Sequence, residues 1–555
     1  MAVEDDPQNP LHTGEFSKKV NAPQRGDSPS PLRQPENVHA ERASQSDSDN
    51  DSRGKVLPDG RRELTEDDCY DKLGYSFSTW KKWTILTVIF TVQMSMNFNS
   101  SVYSNAVSGL VEEFHISEQA ARIGGQMSFL ILYAFGCEIW APWSEEFGRW
   151  PILQLSMTLM NIWQLPCALA KNFETMVVGR VLGGISLAGG SVTLGMTADL
   201  YEANEQGWAV AFVVLSSVGG TTIGPFFGGF LEGYGAHWRW VFWVQLIFGG
   251  VTQLMHFFLV SETRSTILID REAKRRRKSG EDPNIYGPNE LKSPRLEFKD
   301  VLRIWIRPFE MFLREPIVLF LSLLSGFSDA LIFTCIESFT LVFEQWGFGP
   351  LQVGFCFGTI LIGYLMAYLI WLPDIWRQQS IRKEHGEAAR LPERRLLILL
   401  YLAPLEAIGL FGFAWTTMGP EYNHWIVPHV FILLVAIANY AIYGYTVDYM
   451  IAAYGPYSAS ATGGNGFARD FLAGVSAVYA TPMYTQIGGR LHLQWASTIL
   501  GVLAVFVTIP IYIFYWKGPQ IREKSKFAQT LAADRARNEG RRASRLSAQE
   551  KPYGV

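Results

Sequence analysis

The chain has 555 residues, 48% of them hydrophobic and 18% charged, with a formal net charge of −4. The charges are segregated into both ends and two internal segments, and apolar stretches of about 20 residues recur between them, each long enough to cross a hydrocarbon core, which argues against a soluble protein, whose core helices are shorter and amphipathic. Five scattered cysteines (Cys69, Cys137, Cys167, Cys335 and Cys356) show neither metal-ligand spacing nor a disulfide framework, and no nucleophile–base set or phosphate loop is present, so neither an enzyme, a metal site nor a cofactor is expected.

Residues 1–78 are rich in Ser, Asp, Asn, Glu, Gln and Pro and predict a disordered cytoplasmic tail. The N-terminus lacks a basic region followed by an apolar core, so the first membrane helix is the expected insertion signal. About twelve membrane helices follow, near 83–104, 125–143, 151–170, 175–198, 207–231, 239–260, 316–340, 351–372, 396–415, 425–452, 466–488 and 495–516. They predict an all-α membrane protein with two six-helix halves, 79–260 and 316–516. A polar central loop, 261–315, separates the halves and carries the basic run Lys274–Lys278. A second charged loop covers 373–395, including Arg377, Arg382, Lys383, Arg390, Arg394 and Arg395, and residues 517–555 form a basic tail. With the N-terminus inside, nearly all Lys and Arg fall in cytoplasmic loops and at the C-terminus, as the positive-inside rule requires. Beside a membrane helix the Lys274–Lys278 run reads as a topology determinant rather than a nucleic-acid site, and no nucleic-acid partner is expected.

Three segments carry more than hydropathy. Gly220, Gly224 and Gly228 recur every fourth residue in the fifth helix, so they share one face and admit another backbone closely. Pro225, followed by Gly229 in the same pattern, lacks an N–H, so the helix is expected to loosen there. Between the second and third helices, Glu145, Gly148 and Arg149 place opposite charges around a tight turn, either as a conformational latch or as a simple topology turn. In the fourth helix, Arg180 lies inside an apolar stretch beside Gly183 and Gly184, where a charge requires a cavity or a partner.

Taken in order, these segments resemble the major facilitator superfamily. Gly220, Gly224, Pro225, Gly228 and Gly229 are similar to its antiporter signature, the 141–149 loop to its loop motif, and Arg180 with Gly184 to its fourth-helix motif. Trp238-Arg239-Trp240, Glu262-Thr263, Ala273-Lys274-Arg275, Pro316 with Glu337 and Val342-Phe343, Pro392-Glu393-Arg394-Arg395-Leu396 and Phe413-Ala414-Trp415-Thr416 are similar to the fungal drug:proton antiporter branch with twelve helices, over about residues 75–520. The resemblance implies the major facilitator fold with inverted repeats, acting as a monomer in the lipid bilayer of the plasma membrane, with both termini cytoplasmic. It also implies exchange of a small-molecule substrate for protons, with Arg180 taking part in proton coupling. Ala141, Trp143, Glu145, Glu146 and Trp150 depart from the loop motif, so a latch resting on Arg149 alone is expected.

Candidates for the substrate and proton path are polar or aromatic residues inside apolar segments: Asn99, Tyr103, Gln126, Arg180, Asp329, Glu337, Tyr440, Tyr443 and Asp448. Asn99 and Tyr103 are expected on one face of the first helix with Asn97 turned elsewhere, and Asp329 and Glu337, eight residues apart, nearly on one face of the seventh. For Arg180 and Glu337 a structural ion pair between helices is the competing reading. Asp448, Arg469 and Asp470 lie near the cytoplasmic boundary, where a latching role competes with transport, and Glu138 is a possible latch residue. Asn439, Tyr445 and Asn465 complete the polar set, His256 and His429 are lone histidines, and Glu406 has no assigned role. The expected function is export of drugs, secondary metabolites or polyamine-like cations. Export of organic acids, nutrient uptake and a transport-dead sensor are the alternatives.

Overall fold

The computed structural model describes residues 60–201, 205–291, 298–385, 392–454, 457–525 and 527–528. The tail before residue 60 and the basic tail beyond residue 528 lie outside the described residues, as do Lys526, Arg390 and the side chains of Arg382 and Lys383. Among the described residues, twelve long helices run in the expected order: α1 Thr79–Ser101, α2 Glu118–Phe147, α3 Arg149–Ala168, α4 Phe173–Leu200, α5 Gly207–Gly233, α6 Arg239–Leu259, α7 Pro316–Phe343, α8 Pro350–His385, α9 Pro392–Thr416, α10 Ile426–Tyr454, α11 Ser458–Gln486 and α12 His492–Lys524. Nine of them are long and apolar enough by length and composition to cross a membrane, while α1, α3 and α11 are less apolar. Large apolar side chains face outward along α6 (Val251, Leu254, Phe258) and α12 (Leu503, Phe506, Ile513), as a lipid-facing surface requires.

Local chemistry sets the ends and breaks of these helices. Ser78 and Asn172 cap α1 and α4 by accepting from the backbone N–H of Lys81 and Thr175 at 3.4 and 2.9 Å. α4 is not continuous: it breaks between Ile185 and Gly189. Ser156 of α3 takes up the freed backbone groups, donating to the Ser186 carbonyl at 2.7 Å and accepting from the Ala188 N–H at 2.9 Å. α8 runs to His385, thirteen residues beyond the expected end at 372, so the charged loop begins as helix. Asp374 there accepts from Arg377 at 2.6 Å and from Gln378 at 2.8 Å, within one turn.

The last part of the expected disordered tail has structure. Arg62–Glu63 (β1) pairs in parallel with Ile285–Tyr286 (β2) of the central loop, and Leu64, Cys69 and Leu73 bury against Ile269, Ala273 and Ile285. Three apolar residues in a polar segment suffice because the surface helix Ser265–Ser279 offers them a matching face. The same helix carries the Lys274–Lys278 run, whose arginines have partners: Arg275 and Arg276 lie on Glu272, and Arg277 on Glu290 at 2.7 Å. A second surface helix, Phe298–Arg314, spans the α2–α11 seam: Trp305 donates to the Ile139 carbonyl at 3.1 Å, and the Phe309 ring lies 5.0 Å from that of Phe467.

The glycine face of α5 has two partners. A Cβ on Gly220 would lie 2.6 Å from the Met94 carbonyl oxygen, one on Gly224 2.8 Å from the Val102 nitrogen, and one on Gly228 2.0 Å from Asn105 Oδ1, so this face seats α1 and the 3-10 turn that follows it. Gly229 points to α8, where a Cβ would lie 2.7 Å from the Pro350 carbonyl oxygen and 2.8 Å from Gly354 Cα. α5 remains helical through Pro225.

Candidate functional site

The turn between α2 and α3 shows how the chain builds a charged site from backbone geometry. Gly148 sits at φ +106°, in the region that favours glycine, and a Cβ there would lie 2.3 Å from Glu262 Oε2. Glu262, just past α6, accepts from the N–H groups of Arg149 and Trp150 at 3.0 and 3.3 Å, so its carboxylate caps the positive end of α3. Arg149 turns inward to Asp199 at the end of α4 (3.1 Å) and to Ser144 (2.6 Å), with Glu145 at 3.9 Å. Arg149 therefore does not act alone, and the departures at Glu145, Glu146 and Trp150 leave its principal partner, Asp199, untouched. Glu138 does not join this cluster; its carboxylate lies where a Cβ on Gly463 of α11 would stand 2.9 Å from it.

The same placement recurs in the second half. Arg395 at the start of α9 pairs with Asp448 of α10, while Glu393 accepts from Arg522 of α12 at 2.8 and 3.1 Å. Asp448 is thus engaged by an ion pair with Arg395 and is not gathered with the other candidates.

Four candidates do come together. Arg180, completely buried, donates to the Gly125 carbonyl at 2.9 Å and to Asn99 Oδ1 at 2.8 Å, and its guanidinium lies 3.8 Å from the centre of the Phe129 ring and 4.8 Å from that of Tyr103. Tyr103 donates to the Ala121 carbonyl at 2.8 Å, and a Cβ on Gly125 would collide with its ring at 2.0 Å. Asn99 and Tyr103 share a face as expected, while Asn97 faces α5 at Gly220. The neighbouring Gln126 is completely buried with both amide atoms lacking a hydrogen-bond partner, and Arg180 Nη2 likewise lacks one. This corner therefore presents spare donors and an acceptor with no carboxylate paired to its cation.

Asp329 and Glu337 serve different partners. Asp329 pairs with Arg469 of α11 at 2.8 Å, and that guanidinium lies 3.5 Å from the Tyr443 ring centre. Glu337 pairs with Arg122 at the start of α2, which also holds Glu118. Glu337 is thus half of a buried ion pair, with Arg122 rather than Arg180. Arg122 opens a π-helical turn, Arg122–Met127, three residues ahead of the expected second helix. Sequence reading missed it for that reason, although its position against the apolar run was a signal. Asp199 was missed as an ordinary helix-end charge.

Several contacts join the early and late helices. Besides Arg122–Glu337, Tyr440 of α10 donates to the Ala211 carbonyl of α5 at 2.9 Å and Gln119 of α2 to the Val478 carbonyl of α11 at 3.0 Å. All nine candidates are buried in this arrangement. Neither histidine joins the site: His256 lies 2.6 Å from Gln154, and His429 2.8 Å from the Trp425 carbonyl. Among the described residues, no cluster of three or more His, Cys, Asp or Glu could hold a metal ion. Away from the Arg149 cluster, Glu113 accepts from Arg239 at 2.7 and 2.8 Å and from Trp238 at 2.7 Å, and the Arg239 hydrogen bonds hold its carboxyl below the usual range.

Comparison with known proteins places this geometry in context. A sequence model described as Major Facilitator Superfamily matches residues 89–478. The chain is 31% identical to the transporter paaT of Penicillium rubens over 451 residues, 80% of each chain. It is 32% identical to the efflux pump atB of Aspergillus terreus over 404 residues, covering 70% of this chain and 82% of that one. It is 27% identical to the major facilitator superfamily multidrug transporter FLU1 of Candida albicans, covering 82% of this chain and 74% of that one. In fold it is similar to the proton:xylose symporter XylE, with a TM-score of 0.55 at 19% identity over 80% of this chain and 96% of that one.

Proposed function

Since the chain belongs to the major facilitator superfamily and is a membrane transporter of that family, we propose that it is a proton-coupled antiporter in a fungal plasma membrane, exporting drugs, secondary metabolites or polyamine-like cations. Two six-helix halves, 79–260 and 316–516, rock about a central path, with both termini and the basic loops on the cytoplasmic side. The reading rests chiefly on the buried Arg122–Glu337 pair, which ties α2 to α7. For that side to open the pair must part, and a proton taken up by Glu337 removes the attraction that holds it. Protonation from outside then loosens this tie and deprotonation restores it, so the state of the pair is linked to the proton gradient that antiport would use. The relatives named as an efflux pump and a multidrug transporter support export over uptake.

Arg180 carries a second reading. A buried guanidinium with an unpartnered Nη2 and no paired carboxylate is suited to an anionic group, which favours an organic acid as cargo. Export from a fungal strain expressing the protein and lacking its own exporters, measured for toxic cations, polyamines and organic acids at two external pH values, separates the readings. Unchanged accumulation of every compound would sink export. pH-independent export would sink proton coupling, and a response confined to acids would select the second cargo.

A further inference from the structure

Glu406 of α9 stands apart from every ion pair described above. It is completely buried, and the Ser328 hydroxyl of α7 donates to its Oε1. Asn439 of α10 donates in turn to Ser328 Oγ at 3.1 Å, so the donors of this chain all point towards the carboxyl group. Glu406 Oε2 and Asn439 Oδ1 have no hydrogen-bond partner. The charged groups and histidines on the surrounding helices are turned to other partners or, as with Lys517, Glu523 and Lys524 of α12, are exposed. On α7, Asp329 faces Arg469 and Glu337 faces Arg122; on α10, Asp448 faces Arg395 and His429 the Trp425 carbonyl; on α12, His492 faces the Tyr484 carbonyl and Arg522 faces Glu393. A carboxylate ion so placed has one neutral donor and no counter-charge, an arrangement that a buried site escapes by binding a cation, of which the smallest is a proton.

A second feature leads away from this group. Ser322 and Ser325 precede Ser328 at three-residue intervals on α7, are likewise buried, and both have hydroxyls without a partner. Three hydroxyls in an inclined stripe run from Glu406 towards the Pro316 end of the helix, and unsatisfied hydroxyls in such a row can pass a proton or hold water.

We propose that Glu406, Ser328 and Asn439 form a proton-binding site in the second half, filled and emptied along the Ser325–Ser322 stripe towards the Pro316 end of α7. The site deepens the antiport reading and rests on it for its role in transport: Ser328 and Asp329 are consecutive, so a change of charge at Glu406 acts on α7 one residue from the Asp329–Arg469 pair. Proton binding itself can be tested without any substrate. The full chain in lipid nanodiscs is titrated by infrared difference spectroscopy, alongside Glu406→Gln, Ser328→Ala, Glu138→Gln and Asp470→Asn. The expected result is a carboxylic-acid carbonyl band that fades on alkalinisation, is missing only in Glu406→Gln, and moves to higher frequency in Ser328→Ala because the carbonyl loses its hydrogen bond. A band retained in Glu406→Gln, or none in the parent protein at any pH, overturns the site. Proteoliposomes exporting a cationic dye under an imposed pH gradient decide its role. No gradient dependence in the parent refutes antiport while leaving the infrared result to judge the site, whereas equal dependence in parent and Glu406→Gln removes Glu406 from the coupling path. Should Glu406→Gln fail to fold, the Ser328→Ala frequency shift remains decisive.

Discussion

Replacing Gly224 by alanine adds one carbon where α1 leaves no room for it. Its nearest neighbours would be Ser101 Oγ at 2.0 Å, the Val102 nitrogen at 2.8 Å and the Phe98 carbonyl oxygen at 3.1 Å. The hydroxyl can rotate away, but the nitrogen and carbonyl are backbone. To restore an ordinary contact of 3.4 Å from the Val102 nitrogen, the chain must retreat by about 0.6 Å. Overpacking of this kind costs about 1–3 kcal/mol. Five residues earlier on the same helix, a Cβ on Gly219 would meet only Met94 Cε at 3.8 Å and Leu361 Cδ1 at 4.0 Å, ordinary contacts with flexible side chains. Gly219→Ala is therefore the matched control, sharing any gain in helix propensity while missing the collision. Thermal melting in detergent and dye export from proteoliposomes should show Gly224→Ala impaired in both and Gly219→Ala at parental levels. Gly224→Leu should insert normally and lose transport. Equal behaviour of the two alanine variants, or normal transport by Gly224→Leu, would refute the packing argument.

Three further outcomes follow from the charged sites. Breaking the buried Arg122–Glu337 pair from either side, by Arg122→Ala or Glu337→Gln, should destabilise by about 3–5 kcal/mol, whereas the double variant should lose much less than the sum; additive losses would mean that the pair is not coupled. Arg180→Ala strips the Asn99 carboxamide and the Gly125 carbonyl of a donor, each costing about 1–3 kcal/mol if left unmet, and should abolish export, while Arg180→Lys should restore folding but not transport; full export by either variant removes Arg180 from the path. Hydrogen bonds from Arg275, with burial opposing them and Arg276 adding to them, hold the Glu272 carboxyl down at about 2 from 4.5. The depressed value makes its stabilisation of the surface helix Ser265–Ser279 complete above 4.5 and lost as pH falls towards 2. Labelling of the buried Cys69 by an acid-active disulfide reagent should therefore quicken over that window, and a Glu272→Gln variant should show no such step.

Much of the helical layout was legible in the sequence because hydropathy is a local property: each apolar run names its own helix, and every expected segment overlaps an observed one. The failures are at boundaries, where local signals conflict. Asp374 and Arg377 look like loop residues, yet a helical turn brings them together and lets α8 continue to His385. Leu64, Cys69 and Leu73 are too few to mark a folded segment by composition, and only the facing residues Ile269, Ala273 and Ile285 turn them into a core. The candidate site was legible as residue types and as faces: Asn99 on α1 with Tyr103 in the 3-10 turn that continues it, and Gly220, Gly224 and Gly228 on α5, follow from helical periodicity alone.

By itself the sequence determined which stretches form the long apolar helices, how the basic residues are segregated between them and where α5 can be approached closely, since these depend on hydrophobicity, charge and the absence of side chains within a few turns. The tertiary structure decided which buried charges meet. Arg122 rather than Arg180 holds Glu337, Asp199 completes Arg149, and Glu406 meets a serine and an asparagine instead of a cation. Those pairings join helices 50 to more than 200 residues apart in the chain and depend on the rotation and depth of each helix against its neighbours. No local pattern encodes such quantities; they are set when all the faces are packed at once.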